Sequence, residues 1–205
     1  MNKKRVCFVT TIPMTIDWFV TPFGKEFVKR GFEVVYITGS VSEDFRTNHD
    51  YATCLEVPMS RGFNPIKLFK SIKAMEKMLK KEKFDSIFYG TPNASFITSY
   101  ASKKAKIEKR IYLQWGYRYV GFKNPILYRM AKWIERKTFK LSTHSVIVSK
   151  MNREIAIKEK FCKYENSGVA GVGGVAGADT FVTEALLKEN NRDKIRQEYN
   201  IPVDS

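Results

Sequence analysis

The sequence predicts a doubly wound, Rossmann-like parallel α/β sheet, and three observations carry that expectation. Strand and helix patterns alternate along the 205-residue chain. Several strand patterns, such as Val34-Val35-Tyr36-Ile37 and Ser145-Val146-Ile147-Val148, are nearly unbroken apolar runs, as strands covered on both faces require. Three helices also open alike, at Asn64-Pro65, Thr91-Pro92 and Asn124-Pro125. Each is a capping residue followed by proline, where a missing N–H leaves nothing unpaired.

In chain order, strands are predicted at 5–10, 33–38, 53–57, 84–89, 110–115, 143–149 and, more weakly patterned, 168–173. Helices are predicted at 15–31, 64–82, 92–106, 124–141, 150–160 and 182–198. In 64–82 the inward stripe reads Ile66, Phe69, Ile72, Met75 and Leu79; in 92–106 it reads Phe96, Ile97, Tyr100, Ala101 and Ala105; in 124–141 it reads Leu127, Met130, Ala131, Ile134 and Leu141. The composition changes only at 168–178, a glycine-rich run that reads as a loop or hinge. Within it, Gly171-x-Gly173-x-x-Ala176 approaches a dinucleotide fingerprint. Asp179-Thr180-Phe181 intervenes before any helical pattern, which argues against a cofactor there.

A hydrophobic content of 43% suits a packed core rather than disorder. No run reaches the roughly 18–20 apolar residues that span a bilayer. The basic start, Met-Asn-Lys-Lys-Arg, leads into too short an apolar stretch for a signal peptide and reads as strand 1 of a cytoplasmic protein. Cys7, Cys54 and Cys162 are widely spaced and read as small buried hydrophobes, and His49 and His144 lack partners at ligand spacing, so no metal site is predicted. The formal charge of +15 favours an anionic partner: nucleic acid, a phospholipid surface or a phosphorylated substrate. No nucleic-acid-binding module is recognisable, so no nucleic acid is expected.

Candidate binding residues gather where strands end and helices begin, because amides converge there on an anion. Tyr89-Gly90-Thr91-Pro92-Asn93 is the clearest such junction, with Thr91 expected to cap the helix through its side chain. Met14 and Thr15 follow strand 1 and either line a cleft or form an ordinary turn. Ser60 and Arg61 follow the third strand, where an arginine can clamp a phosphate or carboxylate. Trp115-Gly116-Tyr117-Arg118 ends the fifth strand, and an aromatic beside an arginine suits a sugar or a phosphate; Trp115 reads equally as a core plug. Two helices carry much of the basic charge. Lys67, Lys70 and Lys77 on one, with Arg129, Trp133, Arg136 and Lys140 on the other, read either as a membrane-facing surface or as a solvated basic face.

Taken in order, Val9-Thr10-Thr11-Ile12-Pro13-Met14-Thr15, Val57-Pro58-Met59-Ser60-Arg61 with Asn64-Pro65, Thr91-Pro92-Asn93-Ala94-Ser95, Trp115-Gly116 and Gly173–Phe181 resemble the N-terminal half of family 4 glycosyltransferases. The similarity is strongest to those building bacterial capsule, exopolysaccharide or O-antigen repeats. The resemblance implies a two-domain GT-B enzyme with retaining chemistry, no cofactor and no required metal. Residues 1–167 would then be the Rossmann-like acceptor domain, 168–181 a glycine-rich loop, and 182–205 a terminal helix starting the linker to a donor-binding domain. The implied partners are a lipid-linked saccharide acceptor, the anionic inner-membrane surface and a nucleotide-sugar donor, held mainly by that further domain. The implied location is cytoplasmic, peripheral at the inner face of the plasma membrane. Family members commonly carry histidine at the positions of Trp115 and Gly90; this sequence does not, and no catalytic residue is assigned. The competing expectation is a non-catalytic basic α/β module that binds anionic lipid or a nucleotide.

Overall fold

The computed structural model describes residues 3–59, 62, 64–174 and 191–202. Seven strands, β1 (Arg5–Val9), β2 (Glu33–Thr38), β3 (Thr53–Glu56), β4 (Ser86–Tyr89), β5 (Lys109–Gln114), β6 (His144–Ile147) and β7 (Ser167–Gly168), form one sheet in the order β3-β2-β1-β4-β5-β6-β7. Every pairing is parallel. The chain winds outward from β1 to β3, returns, and winds outward again from β4. Val6 to Val9 pair with Ser86 to Tyr89, so the topological switch point lies between β1 and β4. The doubly wound expectation holds.

The helices are α1 (Pro13–Phe19), α2 (Thr21–Lys29), α3 (Glu43–Asn48), α4 (Pro65–Glu82), α5 (Pro92–Lys104), α6 (Pro125–Leu141) and α7 (Lys150–Lys158). On one face of the sheet, Cys7, Val9, Val35, Ile37, Ile87, Tyr89, Tyr112 and Ile147 meet α4, α5, α6 and α7. On the other, Val6, Phe8, Val34, Tyr36 and Cys54 meet Ile16 and Val20 of the α1–α2 segment and Phe45 of α3. β2 is buried on both faces, as its apolar run requires. In β6 only Ser145 and Ile147 are buried, while Val146 is half-buried, because no described helix covers that part of the second face.

Five local expectations need correction. The helix expected over 15–31 is two helices meeting at Val20, because Pro22 has no N–H for the Trp18 carbonyl. Helix α3 was missing from the sequence reading; Ser42 caps it by accepting from Phe45 N–H at 3.2 Å, with Glu43 and Asp44 in the first turn. In α4 the inward residues are Ser71, Met75 and Leu79, with Leu68 and Ile72 half-buried, whereas Ile66 and Phe69 are exposed. Helix α4 packs against α5 and buries Ser71, Met75 and Leu79, a face that leaves Ile66 and Phe69 outward. In α6 the buried residues are Ala131, Glu135, Thr138 and Phe139; of the expected stripe only Ala131 is among them, and Leu127 is exposed. The strand expected over 168–173 is reduced to Ser167–Gly168.

Helix α5 lies between α4 and α6, and nine of its side chains are buried, so it shows little amphipathic contrast. Asn64 and Asn124 cap as expected: Asn64 Oδ1 accepts from Lys67 N–H at 3.0 Å, and Asn124 Oδ1 accepts from Ile126 N–H and Leu127 N–H at 2.9 and 3.2 Å. Gly24 in α2 is required by close approach, since a Cβ there would stand 2.9 Å from Tyr36 Cζ and closer still to its hydroxyl. Residues Met1–Val175 form one compact unit and Ala176–Ser205 a second. In the second, Asn191–Glu198 is helical; residues 182–190 of the expected helix lie outside the described residues.

Candidate functional site

The switch point places the ends of β1 and β4 side by side. Gly90 N–H donates to the Val9 carbonyl at 3.1 Å, and Thr11 N–H donates to Thr91 Oγ1 at 3.1 Å. The two threonine hydroxyls are 2.7 Å apart and share a further hydrogen bond. Thr91 therefore does not cap α5 through its side chain, contrary to expectation. Its hydroxyl ties the two strand ends together, and its backbone sits at φ 63°, ψ 142°. A residue with a side chain rarely adopts that region, which costs on the order of 1–3 kcal/mol and persists only where the surroundings enforce it. Thr11 was not among the candidate binding residues, although the Thr10-Thr11 pair at the end of an apolar strand was its visible signal.

From Thr91 the chain enters α5, whose amino end carries the positive pole of the helix dipole. Asn93, in its first turn, is 9% exposed. Its Nδ2 donates to the Gly62 carbonyl at 3.0 Å, and its Oδ1 accepts from Arg118 Nη1 at 3.0 Å. Arg118 begins a short 3-10 turn, Arg118–Gly121, after β5, and its guanidinium lies over the Phe122 ring at 5.6 Å. Tyr117 Oη donates to the Asn152 carbonyl in α7 at 2.6 Å, and burial pushes the phenol well above its ordinary range.

Of these, Thr91, Tyr117 and Arg118 line one cleft of about 350 Å3, together with Pro92, Tyr112, Leu113, Trp115 and Gly116. Trp115 is also in tilted contact with Phe19 of α1, ring centroids 5.4 Å apart, and lines a second, apolar cavity of about 180 Å3 with Phe8, Phe88 and Leu113. Gly90 adjoins the cleft from beneath, its side-chain space taken by the Trp115 indole: a Cβ there would lie 2.5 Å from Cη2 and 3.0 Å from Cε3. Below the cleft floor, Tyr112 Oη donates to Glu135 Oε1 at 2.9 Å, and burial raises that carboxyl to about 7 against the lowering effect of the Tyr112 bond. Sequence reasoning missed Glu135, although it lies four residues from both Ala131 and Phe139, on the buried face of α6.

The structure thus gathers Gly90, Thr91, Asn93, Trp115, Gly116, Tyr117 and Arg118. It does not bring in Met14, which is exposed on α1, or Thr15, whose side chain is buried in α1 packing; neither lines the cleft. Ser60 and Arg61 lie outside the described residues. The lining supplies one guanidinium, a helix amino end and aromatic surface. Among the described residues it contains no carboxylate, histidine or thiol.

Lys67, Lys70, Lys77, Arg129, Trp133, Arg136 and Lys140 are all exposed, on α4 and α6. Unexpectedly, large apolar side chains stand among them: Ile66 is 70% exposed and Ile126 74%, with Phe69 also exposed. Trp133 rests on Phe96, ring centroids 6.0 Å apart, and Lys137 Nζ lies 5.6 Å from its indole. At the opposite, amino edge of the sheet, a cavity of about 460 Å3 is lined by Lys4, Lys80, Lys83, Lys106 and Lys109 together with Asp85 and Glu108. Helices α4 and α5 end there, and lysines complement their negative poles. No helix among the described residues is long and apolar enough to cross a membrane.

Comparison with known proteins follows the same lines. A family model described as "Glycosyl transferase 4-like" matches residues 5–145, more than half of the chain. Over 103 residues the chain is 25% identical to the Escherichia coli UDP-Gal:alpha-D-GlcNAc-diphosphoundecaprenol alpha-1,3-galactosyltransferase, covering 50% of this chain and 27% of that enzyme. Among solved structures it is similar to the Neisseria meningitidis UDP-GlcNAc 2-epimerase bound to UDP-GlcNAc, with a TM-score of 0.67 at 15% identity over 98% of this chain and 55% of that one. It is also similar to a Rickettsia africae glycosyltransferase (TM-score 0.63, 16% identity, 98% and 51%) and to Acinetobacter baumannii MurG (0.58, 10%, 86% and 47%). The chain spans about half of each of these solved proteins. At such identities the likeness is one of fold.

Proposed function

The chain belongs to the glycosyl transferase 4-like family, and from that premise we propose that it is the acceptor-binding portion of a glycosyltransferase. The full enzyme would move a sugar from a nucleotide-sugar to a membrane-associated, lipid-linked saccharide in bacterial surface polysaccharide synthesis. Retention at the anomeric carbon is the outcome implied by the family resemblance. The observation that carries the reading is the Arg118–Asn93 pair at the amino end of α5, beside Trp115. A glycosyl diphosphate presents an anion next to a ring, and the cleft lining holds a cation, a helix amino end and aromatic side chains. The similarity to an enzyme named for a diphosphoundecaprenol-linked sugar supports the same class of acceptor.

The surface of α4 and α6 fits a peripheral site on an anionic membrane at the cytoplasmic face. Lys67, Lys70 and Arg129 would meet lipid phosphates while Ile66, Phe69, Ile126 and Trp133 enter the headgroup layer. Among the described residues the cleft lining holds no carboxylate, histidine or thiol, and donor contacts would come largely from a further domain. The reading is tested by calorimetric titration of the 205-residue chain with a short-chain N-acetylglucosaminyl-diphosphoprenol analogue and, separately, with UDP-sugars. The analogue binds, and Arg118→Ala weakens it by about tenfold, as loss of a charge-assisted bond does. Tight UDP-sugar binding with no affinity for the analogue would reverse the assignment.

A further inference from the structure

We propose that the amino edge of the sheet, opposite the cleft, is a docking surface for an acidic segment of a partner protein. Lysines held in left-handed backbone positions at three helix ends are its core, and the acceptor reading does not bear on them. Helix α5 ends in a Schellman turn: Lys106 N–H donates to the Lys103 carbonyl at 3.1 Å and Ile107 N–H to the Ser102 carbonyl at 3.0 Å, with Lys106 at φ 60°. Helix α7 ends in the same way, with Lys160 at φ 55° and Phe161 N–H on the Ala156 carbonyl at 2.9 Å. Lys83, at the end of α4, has φ 52°. A side chain makes such a backbone costly, and glycine is the ordinary residue there. The same molecule uses glycine where nothing else is asked of the position: α2 closes with the same pair of bonds on Gly31, φ 83°.

Helix capping does not account for these three lysines. Backbone N–H groups already take the final carbonyls of α5 and α7, and the negative poles are met by lysines of the last turn, such as Lys80, Lys104 and Lys158. What the three positions share is their place. Lys83 and Lys106 line the cavity of about 460 Å3, and Lys160 lines another of about 440 Å3 with Lys140 and Lys163. The chain entering β5 is bonded to the chain entering β6, since Arg110 N–H donates to Thr143 Oγ1 at 2.9 Å, so both recesses lie along one edge. Five lysines line the first and three the second. The only carboxylates in the two linings are Asp85, which already accepts from Arg5 N–H at 2.7 Å, and Glu108. Among the described residues Lys80 alone of these lysines is in an ion pair, with Glu76 at 2.6 Å. The occupant follows from charge and shape. Neither lining contains an exposed large apolar side chain for a bilayer to take up, in contrast to α4 and α6, and recesses suit carboxylate side chains better than a flat headgroup layer. A second copy of this chain, at +15, is repelled.

The test titrates the 205-residue chain with a fluorescent decaglutamate peptide, an oligonucleotide of equal charge and phosphatidylglycerol vesicles. Wild type is expected to bind the peptide more tightly than the oligonucleotide, and the affinity falls as sodium chloride rises from about 50 to about 300 mM. The triple variant Lys83→Gly/Lys106→Gly/Lys160→Gly weakens the peptide by about tenfold or more. The same variant melts about 3–8 °C above wild type, because glycine relieves the backbone at each position. A control of equal charge loss away from this edge, Lys25→Gln/Lys123→Gln/Lys150→Gln, keeps the peptide affinity within about twofold. Equal losses in the control would show that summed charge alone attracts the peptide, and overturn the inference. A glycine triple that melts below wild type would return the lysines to a role in the helix ends, with the same result. So would tighter binding of the oligonucleotide, or vesicle binding that depends on the three lysines, since the surface would then read phosphates.

Discussion

Replacing Glu135 by glutamine gives the sharpest test of the packing beneath the cleft. The carboxyl is 6% exposed, and its Oε1 accepts from Tyr112 Oη at 2.9 Å. Burial is the dominant influence and lifts its pKa from 4.5 to about 7, with the Tyr112 bond acting in the opposite direction. Between pH 4.5 and 7 the folded protein thus holds a proton that the unfolded chain releases, so stability falls as pH rises through that window. Integrated over the window, the loss is about 3 kcal/mol, all of it present above pH 7. Glutamine keeps the shape and an acceptor for Tyr112 but carries no charge. In scanning calorimetry Glu135→Gln should melt within about 2 °C of wild type at pH 5 and about 10 °C above it at pH 8, given some 2–4 °C per kcal/mol for a chain of this size. An equal difference at both pH values, or a variant less stable at pH 8, would show that the carboxyl is solvated or compensated in a way its burial does not allow.

Other consequences follow from the same geometry. Gly24→Ala, which drives a methyl into the Tyr36 hydroxyl, should destabilise by about 1–3 kcal/mol in urea unfolding, and Tyr36→Phe in the same chain should recover part of it. Asn64→Ala and Asn124→Ala each remove a side-chain cap and should lower the melting temperature by about 2–4 °C. In vesicle sedimentation, Lys67→Glu with Arg129→Glu should abolish preference for anionic over neutral lipid. Ile66→Ser with Ile126→Ser should weaken binding to both. Equal wild-type binding to both vesicle types would count against a basic membrane face.

Much of the fold is legible because burial on both faces makes Val34–Ile37 of β2 an unbroken apolar run, and because proline after a capping residue marks three helix starts. The break between α1 and α2 was written in Pro22. Helix α3, six residues long, carried only a capping serine and an acidic first turn as its signals. The site was legible as a set of strand ends but not as contacts. That Arg118 reaches Asn93, or that the Trp115 indole fills the space above Gly90, depends on how the ends of β4 and β5 meet in register, and residues 25 positions apart carry no local sign of it. Gly90 and Trp115, separate positions in the sequence, thus form a single steric arrangement. The rotation of α4 that exposes Ile66 and Phe69 was hidden for a similar reason, since a helical stripe fixes a face only once its neighbour, here α5, is known.

The central claim is that the acceptor sits at the carboxyl edge of the sheet, by Thr91–Asn93 and Trp115–Arg118, and not in the lysine-rich cavity at the amino edge. Photo-crosslinking with a diazirine-bearing sugar-diphosphoprenol analogue, followed by peptide mapping, addresses it directly. Labels are expected on peptides containing residues 91–93 and 115–118, and they should fade when unlabelled analogue competes. Competable labelling confined to residues 80–85 and 105–109 would contradict the account.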